Sequence, residues 1–320
     1  MNRKLKEHLK DIFFSVHKSL LHCKISVLPN HYYSPVPDIN ALSANRGTWA
    51  HESSLPGIRW ELEEQSRKLT EVCQPFVSEY LGNRLYLEGV ATDWGPGFGY
   101  IEAQALHAFV RYFKPRKIIE VGAGVTTHCI LAALQMNAEK DSRPGTICSI
   151  EPYPSNALLR APVKLITAPV QAVDISVFLE LGKGDLLFID SSHTVKTGSD
   201  VNFLILEVLP RLNPGVLVHF HDIYLPYDYS PEILCSLFDW QETSLLHALL
   251  VGNQRIEVLF CLSYLHYKNQ ELLRHVFPEY RPIQLPDGLA SDRAKGKLDL
   301  GEQRGHFPAS IFLRVRESYA

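Results

Sequence analysis

Lys117-Ile118-Ile119-Glu120-Val121-Gly122-Ala123-Gly124-Val125-Thr126-Thr127 is the stretch on which the fold turns. An acidic residue, Glu120, stands at the end of a run of strand character, a Gly-x-Gly turn follows, and a helical pattern opens at Val125. Glycine lets the backbone turn sharply and approach a ligand closely. A dinucleotide fingerprint would place a third glycine where Thr127 stands. With Glu120 just before it, the turn suits a cationic or zwitterionic ligand better than a diphosphate. The same glycines would also serve a merely tight strand-to-helix connection.

Outward from this turn the pattern repeats. Apolar runs of strand length are predicted at 117–121, 146–150, 163–167, 185–189 and 216–220, with helices between them at 125–137, 170–181 and 201–212. Strands alternating with helices imply a parallel sheet covered on both faces. The expected fold is α/β, a doubly wound, mostly parallel Rossmann-like sheet. Two late runs, 255–262 and 311–316, could extend it. Upstream, Asp93 to Tyr100 forms a glycine-rich turn leading into a predicted helix over 101–113, and another helix is predicted over 61–81. Residues 28–60 hold Pro29, Pro35, Pro37, Pro56 and Gly57 with Tyr32, Tyr33, Trp49 and Trp60, too aromatic for a disordered linker. Leu5, Leu9, Ile12, Phe13, Val16 and Leu20 recur at helical spacing, so the chain opens on an amphipathic helix. The expected division is an N-terminal helical and irregular extension, 1–94, and a main domain, 95–320. The extension would serve as lid, substrate pocket or dimer contact.

Composition bounds the reading without choosing an activity. The 320 residues are 46% hydrophobic and 21% charged, as in an ordinary soluble domain. Thirty-two Lys+Arg against 35 Asp+Glu give a net charge of −3, without the basic excess of a nucleic-acid binder. None of the six cysteines is paired as Cys-x-x-Cys, which fits a reducing cytoplasm. No apolar run approaches the roughly 18 residues of a membrane span, and charges break up any signal-peptide core near Ile12.

In open α/β sheets ligands bind beyond the carboxyl ends of the strands. Four predicted strand ends carry polar residues: Glu120 with Gly122, Ala123, Gly124 and Thr126; Glu151; Asp190-Ser191-Ser192-His193; and His219-Phe220-His221-Asp222. Glu151, one strand after Glu120, is placed to accept two ribose hydroxyls. On an extended strand His219 and His221 share a side and Asp222 takes the other, unless the strand ends at Phe220. Tyr224, Tyr227 and Tyr229 could form an aromatic lid or an ordinary packed loop. Asp200 reads as a helix N-terminal charge, Lys196 as solvated or as a contact for an anionic substrate, and Arg304 and His306 belong to no motif.

Order and spacing over roughly residues 95–265 resemble class I S-adenosylmethionine-dependent methyltransferases. The resemblance lies in Glu120–Gly124, Glu151, Asp190–His193 and the turn Leu212-Asn213-Pro214-Gly215. More narrowly, Tyr32–Asp38 and Ser192–His193 through Gly198-Ser199-Asp200 resemble the Methyltransf_24 type, related to the catechol-type small-molecule O-methyltransferases. The resemblance implies the class I methyltransferase fold and S-adenosylmethionine as cofactor. It would be held by Glu120, Gly122, Ala123, Gly124, Thr126, Glu151, Asp190 and Ser191. It also implies a divalent metal at Asp190 and Asp222; were His221 a ligand beside them, a transition metal would be favoured over Mg²⁺. Ile223 stands where the family's next ligand is expected. His193 takes the place of the family's lysine base.

Methyl transfer from a sulfonium needs an aligned nucleophile and removal of its proton. His193, with its near-neutral ordinary pKa, is the expected general base, and Asp190 either orients it or holds a metal. The expected partner is a small-molecule acceptor carrying a hydroxyl, with no nucleic acid; a homodimer through the extension stays open. Rival readings are a metal-dependent oxygenase or hydrolase built on the same His and Asp residues, and a non-catalytic nucleoside-binding protein.

Overall fold

Seven strands form one sheet in the order β3-β2-β1-β4-β5-β7-β6 in the computed structural model, which describes residues 3–290 and 305–317. The strands are β1 (Lys117–Val121), β2 (Thr146–Ile150), β3 (Lys164–Ile166), β4 (Leu186–Ile189), β5 (Leu217–Phe220), β6 (Ile256–Cys261) and β7 (Ile311–Val315). The first five are mutually parallel; β7 inserts antiparallel between β5 and β6. The two late apolar runs do extend the sheet. The strand order reverses between β1 and β4, the crevice where open α/β sheets bind ligands.

Alternate residues of the same strands feed two cores. Ile118, Leu186, Phe188, Leu217 and Phe312 pack with the helices Tyr100–Phe113 and Val125–Asp141 on one face. Ile119, Val121, Leu187, Ile189, Val218 and Phe220 pack on the other face with residues of the helix Glu242–Leu250 and of the segment 200–212. Strands buried on both faces explain why these runs read as continuously apolar.

The chain divides into two compact units, Met1–Arg46 and Gly47–Ala320. The expected boundary at 94/95 therefore runs inside the second unit. Its helix Leu62–Cys73 packs Leu69, Val72 and Cys73 into the main core. The first unit contains the expected amphipathic helix, Arg3–Leu21, and a short helix Ile39–Ala44 capped by the Asp38 carboxylate. Among the described residues no helix is long and apolar enough to cross a membrane, and all six cysteines are free.

Three predicted helices are broken in the structure. The one over 61–81 stops at Cys73 because Pro75 lacks a backbone donor; a 3₁₀ turn and the short helix Val77–Tyr80 follow. The one over 170–181 reduces to a turn at Val170–Ala172 and a helix at Ser176–Leu179, since Asp174 diverts the Ser176 amide to its own side chain. The one over 201–212 becomes a single turn, a π-helical stretch Phe203–Val208 and a 3₁₀ end at Pro210.

Candidate active site

At the carboxyl end of β1 the chain turns at Gly122, whose φ of +77° favours glycine. An added Cβ would lie 1.8 Å from the Asp190 carbonyl oxygen, so the turn closes directly onto β4. Glu120 is fully buried and accepts hydrogen bonds from Thr126 Oγ1 (2.8 Å), Thr127 Oγ1 (2.7 Å) and Ser149 Oγ (2.7 Å). Burial raises its pKa to about 7, against the pull of those three hydroxyls. Glu120 and the Thr126 hydroxyl thus brace the turn from behind. Glu151 accepts from the Ala123 amide (3.2 Å) and the Tyr153 amide (2.8 Å). It lines an open cleft of about 410 Å³ with Gly122, Asp190, Ser191, Lys196 and Asp200. Ser191 Oγ is buried without a hydrogen-bond partner among the described residues. Gly124 heads the helix Val125–Asp141 as its N-cap. Asp200 accepts from the Ser192 amide and hydroxyl, fixing the loop beside the cleft.

The third and fourth strand ends meet. β5 stops at Phe220, and left-handed backbone at His193 (φ +57°) and Asp222 (φ +53°) brings both side chains to one place. His193 Nε2 lies 3.4 Å from Asp190 Oδ1 and 3.4 Å from Asp222 Oδ2. His221 Nδ1 lies 3.2 Å from Asp190 Oδ1 and 3.5 Å from Asp222 Oδ2. Behind the histidines stand two fully buried carboxylates: Glu242 Oε2 at 2.7 Å from His193 Nδ1, and Glu102 Oε1 at 3.4 Å from His221 Nε2. Burial alone would lower the His193 pKa, but Asp190, Glu242 and Asp222 hold it up to about 10. Burial is likewise outweighed at His221, which Asp222, Asp190 and Glu102 push well above the ordinary imidazole value. Asp190 runs the other way: burial would raise it, and the two imidazoles hold it well below the usual carboxylate range.

Beyond the cluster lies a second cavity, of about 200 Å³, lined by His221, Asp222 and the aromatic rings of Phe98, Tyr224, Trp240 and Phe307. Trp240 packs 4.9 Å from the His193 ring and Phe98 4.7 Å from that of His221. The cluster therefore separates a glycine-turned cleft from an aromatic pocket.

Other candidates fall elsewhere. His219 stacks on Phe188 at 4.6 Å and meets Phe312 at 4.5 Å, with neither ring nitrogen partnered among the described residues. It keeps the expected side in common with His221, since Phe98 meets both rings, but it lies deeper and away from the carboxylates. Tyr224 lines the pocket, whereas Tyr227 and Tyr229 pack with Trp49 and Leu289 as an ordinary loop. His306 stacks on Tyr100; Arg304 lies outside the described residues. Sequence reasoning missed Glu102, Glu242, Phe98, Trp240 and Phe307. Glu102 left a trace, an acid inside the apolar run Tyr100-Ile101-Glu102-Ala103; Glu242 left none.

Residues 119–223 match the family described as a methyltransferase domain. A protein of Archaeoglobus fulgidus, described only as uncharacterized, is 28% identical over 165 residues, covering 47% of this chain and 71% of its own. Among solved structures, the O-methyltransferase TomG from Streptomyces achromogenes, involved in tomaymycin synthesis and in complex with SAM, is 14% identical, with 81% of this chain and 92% of TomG covered and a TM-score of 0.39. An O-methyltransferase from Bacillus cereus in complex with SAH is 13% identical, with 78% and 100% covered and a TM-score of 0.40. These structural likenesses are distant. The matched segment, however, contains the glycine turn, both acidic strand ends, Asp190 and Asp222, on the mostly parallel sheet expected from the sequence. Residues 119–223 are thus similar to a methyltransferase domain.

Proposed function

We propose that the protein transfers the methyl group of S-adenosylmethionine to a hydroxyl of a small molecule. The observation that carries this reading is the Asp190–His193–His221–Asp222 cluster standing between the glycine-turned cleft and the aromatic pocket. In this arrangement the Gly122–Gly124 turn holds the methionine end of the cofactor and Glu151 its ribose. The acceptor lies between Phe98, Tyr224, Trp240 and Phe307. Its oxygen attacks the methyl carbon in line as the carbon–sulfur bond breaks, and the hydroxyl proton leaves into the cluster.

His193 is the proton acceptor in this reading when the cluster holds no metal. Nδ1 is engaged by Glu242, so Nε2 is the nitrogen free for the task. The surrounding carboxylates raise the basicity of this ring, so its neutral form is a strong proton acceptor. The donor set also fits a divalent cation: ligand atoms of Asp190, His193 and His221 lie within 4.8 Å of one another, with Asp222 alongside. When bound there, such an ion would lower the pKa of the acceptor hydroxyl. The two roles of His193 are exclusive, because both use Nε2.

Calorimetry with S-adenosylmethionine and its demethylated product tests the cofactor, and mass spectrometry of a hydroxylated acceptor panel tests transfer. Absence of binding for both cofactor forms would end the reading. His193→Ala is expected to lose most turnover, on the order of 10²-fold or more, with cofactor affinity retained. Near-normal turnover would remove His193 from the reaction.

A further inference from the structure

We propose that Asp190, His193, His221 and Asp222 form a nitrogen-rich site for a first-row transition-metal ion, and that the buried Glu242 and Glu102 are its positioning residues. The inference deepens the reading of this junction as the reacting site, but metal binding can be measured without turnover.

The argument starts from the orientation of the two rings. His193 turns Nδ1 to Glu242 and leaves Nε2 facing Asp190 and Asp222. His221 does the reverse, turning Nε2 toward Glu102 and leaving Nδ1 facing the same two aspartates. The histidines thus use opposite nitrogens and still converge on one point. The far nitrogen of His193 is hydrogen-bonded to a buried carboxylate, which holds its proton and leaves the near nitrogen as a lone-pair donor, and that of His221 has a second buried carboxylate at 3.4 Å. This is the carboxylate–histidine arrangement that fixes tautomer and ring angle in metal sites. A buried carboxylate is costly unless it has such a task. Glu242 is 1% exposed, its Oε1 has no partner among the described residues, and its other oxygen is spent on His193. Glu102 divides its Oε1 between His221, the Ala309 amide (3.0 Å) and the Ser310 hydroxyl (2.6 Å), so it is the weaker of the two.

The donor chemistry favours one class of ion. Asp190, His193 and His221 offer ligand atoms within 4.8 Å of one another, and Asp222 Oδ2 stands 3.4 and 3.5 Å from the two imidazoles. Mg²⁺ prefers oxygen ligands and retained water. Paired imidazoles instead suit Zn²⁺, Co²⁺, Fe²⁺ or Ni²⁺. In this arrangement His193 is a ligand and the acceptor proton leaves by another group.

The test uses the full chain, stripped with a chelator and titrated calorimetrically with Zn²⁺, Co²⁺ and Mg²⁺, with the visible spectrum of the Co²⁺ form as a second readout. One equivalent of Zn²⁺ or Co²⁺ is expected to bind at least 100-fold more tightly than Mg²⁺, with the intense visible bands of low-coordinate cobalt. Glu242→Gln is expected to weaken Zn²⁺ binding 10- to 100-fold, and His193→Ala to abolish the cobalt bands. Mg²⁺ binding as tightly as Zn²⁺, or no metal binding at all, would overturn the site and leave a network of ion pairs. Unchanged Zn²⁺ affinity in a folded Glu242→Gln protein would overturn the positioning role. Metal binding with no affinity for the demethylated cofactor would support this inference while removing the methyltransferase reading.

Discussion

At Gly122 a single hydrogen atom decides whether β1 and β4 can meet, because a Cβ there would sit 1.8 Å from the Asp190 carbonyl oxygen on a backbone with φ of +77°. Neither the strand end nor the strained backbone can give way cheaply. Gly122→Ala is expected to cost at least roughly 2 kcal/mol in urea unfolding and to abolish binding of the demethylated cofactor. Wild-type stability would contradict the close approach. This residue was legible in the sequence, as were Glu151, Asp190 and His193, because turn chemistry and strand ends are local properties. Glu242 was not: it meets His193 from 49 positions away, and no local pattern carries such a distance. Asp222 was legible as an acid near a strand end. Its place beside His221 depended on where β5 stops, which the left-handed backbone at Asp222 settles.

At the scale of elements, the helix Tyr100–Phe113 presents Glu102 to the site and is itself anchored by charge. His107 and Arg111 on that helix bond Glu79 at 3.0 and 2.7 Å, and Arg111 also reaches Asn137 and Asp141 on the helix Val125–Asp141. Hydrogen bonding from His107, Arg111 and Lys140 holds the Glu79 carboxyl well below the usual carboxylate range. Glu79→Gln takes one of two carboxylates from the buried Arg111 guanidinium, which keeps Asp141, and is expected to cost roughly 1.5–3 kcal/mol. A loss under about 0.5 kcal/mol in denaturant unfolding would place the pair among weak surface bridges. Element type was legible for the strands and for the long helices after β1 and before it. It failed at 170–181, where Asp174 redirects a backbone donor that apolar periodicity does not register; at 201–212 the segment is helical, but its π and 3₁₀ character was not legible.

Across the whole molecule, one buried imidazole sets part of the acid limit. His266 is buried against Tyr267 and Phe307, and burial lowers its pKa from 6.5 to about 4. The unfolded chain therefore binds a proton that the folded chain refuses between those values. Stability falls as pH drops from 6.5 to 4, by about 3 kcal/mol from this group, and changes no further below. His266→Phe is expected to flatten that part of the stability–pH curve; an unchanged slope would mean that the ring is protonated in the fold. Glu79 contributes at lower pH, where its protonation releases Arg111. The domain's division of labour, a cleft on one side of the cluster and an aromatic pocket on the other, rests on β1 and β4 flanking the reversal in strand order. This cleft is the proposed seat of S-adenosylmethionine. Isothermal titration of the demethylated cofactor into the full chain tests it most directly. One equivalent should bind, and Glu151→Ala should weaken binding at least about tenfold through lost ribose contacts. No heat and no stabilisation of the wild-type chain at saturating ligand would contradict it.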